Sequence, residues 1–119
     1  MSRVLLIDDD RWLCDSYRRV LERAGHEVVS AANAQEAVQL IDMQLPDVCV
    51  VDMLLEGHTA MGLLHELQSY TDTQSLPVIV CSGLSLSTET LHQYGVVRVL
   101  DKQSLTPKQL VDCVEECAA

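Results

Sequence analysis

Val48-Cys49-Val50-Val51-Asp52 decides how the rest of this chain is read. Four apolar residues, three of them β-branched, run directly into one acid. A short continuous apolar run of this kind offers no polar face to solvent, so it reads as a strand buried on both sides. The same arrangement recurs at Val4-Leu5-Leu6-Ile7-Asp8-Asp9, at Val78-Ile79-Val80-Cys81-Ser82 and at Val96-Val97-Arg98-Val99-Leu100-Asp101-Lys102. Each strand delivers a polar residue at its carboxyl end. In an open α/β sheet, ligands bind in the crevice beyond those ends. The chain is therefore organised around Asp52.

Working outward, the segments between these strands carry helical spacing. The first strand runs from about Arg3 to Asp8, and a helix follows from about Asp10 to Ala24. Leu13, Tyr17, Val20, Leu21 and Ala24 form its apolar stripe, and Gly25 ends it. His26 to Ser30 reads as a second strand. Asn33 precedes Glu36 by three residues, a capping-box pattern that starts a helix reaching about Met43, with Ala37, Val38, Leu40 and Ile41 as its apolar face. Pro46 blocks continuation, and the central strand begins near Asp47. Met53 to Thr59 reads as a loop, followed by a helix from about Thr59 to Tyr70 that uses Leu63, Leu64 and Leu67. Pro77 introduces the fourth strand. Gly83 to Tyr94 is rich in poor helix formers (Ser85, Ser87, Thr88, Thr90), so a short or irregular helix is expected. Gly95 precedes the fifth strand. Thr106-Pro107 caps a last helix that carries Leu110, Val111, Val114 and Cys117.

This is five β-α units in succession, spanning residues 1–119 as one domain. Right-handed helical crossovers between parallel strands make it an α/β doubly wound, three-layer sandwich around a parallel five-stranded sheet.

Composition narrows the function. At 119 residues and 48% apolar, the chain can bury a real core. Its aromatic content of 3%, with no Phe, makes that core aliphatic. A formal net charge of −10 argues against direct nucleic-acid binding, because phosphate contacts need Lys and Arg. No apolar run approaches the roughly 20 residues that span a bilayer. The segment after Met1-Ser2-Arg3 is too short for a signal-peptide core, so a cytoplasmic location is expected. Cys49 and Cys81 lie in apolar strands and read as small buried hydrophobes. Cys113 and Cys117 share a helix face without further ligands nearby and read as thiols rather than a metal site. His58 and His65 read as solvated, and Trp12 as a packed surface aromatic.

The chemistry lies at the strand ends. With the first strand central, Asp8 and Asp9 fall beside Asp52. Two such charges about 4 Å apart repel by roughly 4 kcal/mol at an effective dielectric near 20, so the cluster calls for a cation. Every ligand on offer is a hard oxygen, which favours Mg²⁺ held by Asp8, Asp9 and Asp52, with the Leu54 backbone carbonyl as a further ligand. Asp52 is then a candidate nucleophile toward phosphorus, since a carboxylate can form an acyl phosphate. Lys102 supplies a point charge, the Ser82 hydroxyl can donate to a phosphoryl oxygen, and Gly83 leaves room for close backbone approach. Asp10 reads as the helix cap.

Taken together, Ile7-Asp8-Asp9-Asp10, Val50-Val51-Asp52, Val80-Cys81-Ser82-Gly83 and Leu100-Asp101-Lys102 resemble the receiver domain of bacterial two-component response regulators, a resemblance that covers the whole chain. It implies the flavodoxin-like strand order 2-1-3-4-5. It also implies phosphorylation of Asp52 by a phosphohistidine on a sensor histidine kinase or phosphotransfer protein, with Mg²⁺ as cofactor. On this reading the protein is not an enzyme. It is a phosphoacceptor that assists its own phosphotransfer and dephosphorylation, and its signal passes to a downstream protein or an output domain. Ser82 moving toward the phosphate, and a switch side chain at Val99, would alter the face made by the fourth helix, fifth strand and fifth helix. Receivers often pair through that face, so homodimerisation is left open.

Four positions depart from the family pattern. Glu56 stands where Pro is usual, Ala60 where Gly is usual, Gln103 where a Pro usually follows the lysine, and Val99 where the switch residue is usually aromatic. A non-proline cis bond costs about 2.5–4 kcal/mol, so Lys102-Gln103 is expected to be trans or strained. The segment from Ser82 to Lys102 is also about two residues shorter than the family pattern leads one to expect. The diverged relay leaves room for a receiver-like module that acts by protein contact without phosphorylation. A competitor of another class, a haloacid-dehalogenase-type phosphatase, shares the Asp-x-Asp strand end at Asp8-Asp9-Asp10. It expects a pair of acids on a strand after its lysine, whereas only a helix with Glu115 and Glu116 follows Lys102.

Overall fold

The strands alternate their side chains between two cores, and that alternation builds the sheet. The computed structural model describes residues 2–55, 57–83 and 88–118, with the side chains of Thr88 and Thr90 outside the description. Five strands, β1 (Arg3–Ile7), β2 (Glu27–Ala31), β3 (Val48–Asp52), β6 (Val78–Ser82) and β7 (Val96–Asp101), form one parallel sheet in the order β2-β1-β3-β6-β7. Counting only these long strands, that is the 2-1-3-4-5 order of the flavodoxin-like, doubly wound architecture. Val4, Leu6, Val48, Val50, Ile79 and Cys81 face one core with Cys14 and Leu21 of α1 (Arg11–Arg23) and Leu110 and Val114 of α5 (Pro107–Ala118). Leu5, Ile7, Cys49, Val51, Val78 and Val80 face the other, against α2 (Ala34–Met43), α3 (Met61–Ser69) and α4 (Thr88–Leu91). Because both faces are covered, β3 and β6 are buried at every position.

Helix ends follow local chemistry. The Asp10 carboxylate accepts from the Leu13 N–H at 3.2 Å and caps α1. Asn33 Oδ1 accepts from the Glu36 N–H at 2.9 Å and caps α2, while Glu36 reaches back to the Ala32 N–H at 2.8 Å. Thr106 and Gln109 exchange side chain-to-backbone hydrogen bonds of 3.2 and 2.9 Å, so α5 opens on a reciprocal capping box with Pro107 as its first residue.

Several expectations are corrected. Met53 to Thr59 is not all loop: β4 (Leu54–Leu55) pairs antiparallel with β5 (His58–Thr59), and the Ala60 N–H donates to the Met53 carbonyl at 2.7 Å. Leu55 is buried while Leu54 is half exposed, so the hairpin holds one leucine in the core. Glu56 lies outside the described residues. On α1 the buried residues are Cys14 and Leu21, Leu13, Tyr17 and Val20 are half-buried, and Ala24, the C-cap just beyond the helix, is exposed. His58 on β5 and His65 on α3 are both exposed, as expected, and the His65 ring lies against Tyr94 in a T-shaped contact with centroids 4.8 Å apart. Trp12 is 89% exposed rather than packed, since the stripe that faces the sheet runs through Leu13, Cys14 and Tyr17 instead. Among the described residues no peptide bond is cis, so Lys102-Gln103 is trans.

Within residues 83–94, α4 is a single turn followed by a 3-10 turn over His92–Tyr94; residues 84–87 lie outside the described residues. Gly95 ends this segment at φ +81°, a left-handed conformation. A Cβ there would lie 2.7 Å from the Gln68 side-chain nitrogen and 3.5 Å from the Leu76 carbonyl. The Gln68 amide can swing aside, but the left-handed backbone costs an alanine about 1–2 kcal/mol. Gly95→Ala is expected to lower the melting temperature by roughly 4–8 °C. An unchanged thermal melt would show that the turn relaxes.

All five cysteines, Cys14, Cys49, Cys81, Cys113 and Cys117, are free thiols. Burial pushes the Cys49 and Cys81 thiols up to about 12, as expected of inert core residues. Among the described residues no helix is long and apolar enough to cross a membrane.

Candidate functional site

β1 and β3 are neighbours, with Ile7 opposite Val51, so the residues that follow each strand emerge side by side. Ligand atoms of Asp8, Asp9 and Asp52 lie within 4.8 Å of one another. Asp8 and Asp52 are buried and Asp9 is exposed, so the cluster opens to solvent on one side. Asp8 is held by the start of α1: its Oδ1 accepts from the Asp10 N–H at 2.9 Å. The strand ladder continues past the strand ends. The Met53 N–H donates to the Cys81 carbonyl and the Lys102 N–H to the Ser82 carbonyl, each at 2.9 Å. The second of these bonds ties the Lys102 backbone to the end of β6, and the lysine side chain reaches back across the crevice. Lys102 Nζ lies 2.8 Å from Asp52 Oδ2 and 3.4 Å from Asp8 Oδ2.

The electrostatics follow from this packing. Burial raises the Asp8 carboxyl above its ordinary value; the Asp10 N–H opposes that, the Asp52 charge adds to it, and Lys102 opposes it. Burial alone would lower the Lys102 ammonium. The hydrogen bond to Asp52 and the charges of Asp8 and Asp52 override that and hold it above its usual range. Three carboxylates meet one ammonium here, so the crevice remains net negative. Its donors are all carboxylate oxygens with one side open to water, a set that fits a hard divalent cation such as Mg²⁺.

The structure thus brings together four of the residues named from sequence: Asp8, Asp9, Asp52 and Lys102. Ser82, fully buried at the end of β6, sits opposite Asp101 and one strand over from Asp52, whose own register partner is Cys81. Leu54 meets the site through its N–H, which makes a long 3.4 Å contact to Asp52 Oδ1. Val99 lies opposite Val80, partly buried against the core beneath α3 and α4. Gly83 is exposed, with open space where a Cβ would be.

Two residues near the site escaped the sequence reading. The Cys14 thiol donates to the Asp8 carbonyl at 3.5 Å. Burial, together with Cys81, pushes the Tyr17 hydroxyl up to about 12 even though Lys102 opposes it. Cys14 lies one turn after Asp10 and Tyr17 one turn further, so helical spacing from the cap was the available signal.

An acid-lined crevice with a lysine across it, at the carboxyl ends of a parallel sheet of this order, is the site that this small α/β domain presents. The profile of the response regulator receiver domain matches residues 4–115. Protein PilH of Pseudomonas aeruginosa is 28% identical over 75% of this chain and 74% of its own length. The response regulator MprA of Mycolicibacterium vanbaalenii is 35% identical over 68% of this chain but only 34% of its own length. The virulence transcriptional regulatory protein PhoP of Salmonella typhimurium is 34% identical over 70% of this chain and 36% of its own. Several relatives are thus more than twice the length that this chain matches. Among solved structures, a chain from Chloroflexus aurantiacus superposes with a TM-score of 0.88 at 29% identity, covering 98% of this chain and 97% of that one. A receiver domain protein of Methanospirillum hungatei superposes at 0.87 and 23% identity, covering 99% and 94%. The chain belongs to the response regulator receiver domain family.

Proposed function

We propose that Asp52 accepts a phosphoryl group from a phosphohistidine of a sensor histidine kinase or phosphotransfer protein, and that the acyl phosphate changes which proteins this domain contacts. The contact that carries the reading is Lys102 Nζ at 2.8 Å from Asp52 Oδ2, beside two further carboxylates within ligand distance. An Asp52 carboxylate oxygen attacks phosphorus, the P–N bond to the donor imidazole breaks, and that electron pair stays with the imidazole. Lys102 is already in place to meet the negative charge on the incoming phosphoryl oxygens, and the Ser82 hydroxyl is the nearby neutral donor. Asp8, Asp9 and Asp52, with the Leu54 carbonyl, would hold Mg²⁺, which when bound would supply further positive charge to the phosphoryl oxygens. Attack of water on the same phosphorus later restores the carboxylate, so the protein is a self-assisting phosphoacceptor rather than a turnover enzyme. Downstream, the partner is another protein or an output domain, and the setting is the cytoplasm.

The test is intact mass after incubation with acetyl phosphate and Mg²⁺. Wild type is expected to gain one phosphoryl adduct, labile to hydroxylamine, and Asp52→Asn to gain none. If Mg²⁺ binds but neither acetyl phosphate nor a histidine-phosphorylated donor protein yields an adduct, the reading fails and the domain acts by contact alone.

A further inference from the structure

The chain has no Lys or Arg between Arg23 and Arg98. Its eight cations lie at Arg3, along α1, on and just after β7, and at Lys108 of α5. The sheet face covered by α2, α3 and α4 therefore carries acids and histidines but no permanent cation. On that face, α2 and α3 leave a trough between them. Cavities of 240 and 450 Å³ lie next to one another along it, with Val38 and Glu66 lining both. Val38, Ile41, Leu63 and Leu67 give the trough an apolar floor, while Asp42, Glu66 and Asp72 contribute its charges, all of one sign. Tyr70, 56% exposed, lines one end, and Met43, 81% exposed, follows Asp42.

From this we infer that the α2–α3 trough docks a basic amphipathic helix of a partner protein. An apolar seam between two helices is ordinary, and acids alone attract only counterions. Here the two coincide: Tyr70 at the end of the trough and Met43 beside Asp42 are left in water, next to a rim whose charged residues are all acids. A partner segment with Lys or Arg flanking an apolar stripe satisfies both features at once. A helix fits better than a strand. The edges of the five-stranded sheet are β2 and β7, away from the trough, and β5, whose Thr59 lines one end of it, is only two residues long, so an extended peptide would gain little ladder there, whereas a helix satisfies its own backbone. The walls, 10 and 9 residues long, are each about 14–15 Å and match two to three turns of such a helix. Nothing in the inference depends on phosphorylation of Asp52.

The probe is a synthetic helix of about four turns with Leu on one face and Lys on the other, titrated into the isotope-labelled full chain by NMR. The Lys peptide is expected to shift amides of α2 and α3. Asp42→Lys with Glu66→Lys should weaken it at least about tenfold, while Glu22→Lys with Asp112→Lys, the same charge change on α1 and α5, should leave it within about twofold. All four positions are exposed, and thermal melts check that both variants fold. Three results would overturn the inference: equal loss in both double variants, equal binding of a Glu-for-Lys peptide, or a wild-type dimer by sedimentation that the Asp42→Lys, Glu66→Lys variant loses. The last would assign the trough to a second copy of this chain.

Discussion

Replacing Lys102 by methionine, which keeps the side-chain volume, is expected to slow phosphoryl uptake by Asp52 roughly a hundredfold. That is the usual scale for losing one preorganised charge-stabilising donor. The same change should destabilise the metal-free protein at pH 7. The folded-state pKa of Lys102 is raised, so its stabilisation is fully present below the ordinary 10.5 and is lost only as pH rises through the higher folded value. Removing it leaves the buried carboxylates of Asp8 and Asp52 facing each other. Breaking a fully buried pair costs about 3–5 kcal/mol, but the Lys102 side chain is 25% exposed. Solvent screening brings the expectation to about 1–2 kcal/mol. Asp8 has the same linkage sign in a lower pH window: its raised pKa favours folding below the ordinary 3.8, and that contribution is lost as pH rises through the folded value. The gap between variant and wild type should therefore be widest near neutrality and should narrow on acidification as Asp8 protonates. An adduct time course by mass, with melts at neutral and acidic pH, checks both parts. A wild-type rate of phosphorylation in Lys102→Met would remove the lysine from the proposed chemistry.

Mg²⁺ is expected to raise the melting temperature of the wild type by about 10 °C at concentrations about 100-fold above its dissociation constant. Binding to the folded state alone is then worth about 2.7 kcal/mol, and each kcal/mol moves a domain of this size by roughly 4 °C. Asp9→Ala should abolish the shift. It should also melt at or above the wild type without metal, because Asp9 adds a third negative charge within 4.8 Å of two others. Differential scanning fluorimetry with and without Mg²⁺ reads both effects. A magnesium-insensitive wild type would remove the metal from the site.

The strands and their polar ends were legible because burial on both faces demands an unbroken apolar run, and a run has only one place to end. Asp10, Asn33 and Thr106 were legible as caps for a similar reason: each bonds a backbone N–H three residues on. The hairpin formed by Leu54–Leu55 and His58–Thr59 was not legible, since a pair of two-residue strands is too short for any alternation to register. Trp12 misled because aromatic character says that a side chain can be buried, not that a partner surface exists on its side of the helix. The coupling of Tyr17 to the site's charges was hidden inside an apolar stripe that already had an explanation as core, and Cys14, whose thiol donates to the Asp8 carbonyl, fell outside the stripe as it was read.

By itself, the sequence determined the alternation of strands and helices, the helix caps, and the polar groups that stand at strand ends. These depend on residues within a few positions of one another, where sterics and backbone hydrogen bonding leave few alternatives. Only the tertiary structure decided that Asp8, Asp9 and Asp52 share one crevice and that Lys102, 50 residues from Asp52, closes it at 2.8 Å. Only the tertiary structure placed a cation-free trough between α2 and α3. Those outcomes depend on which strands lie side by side and which helices cover each face. That choice is made by the packing of two cores across the sheet, and no local stretch of the chain contains it.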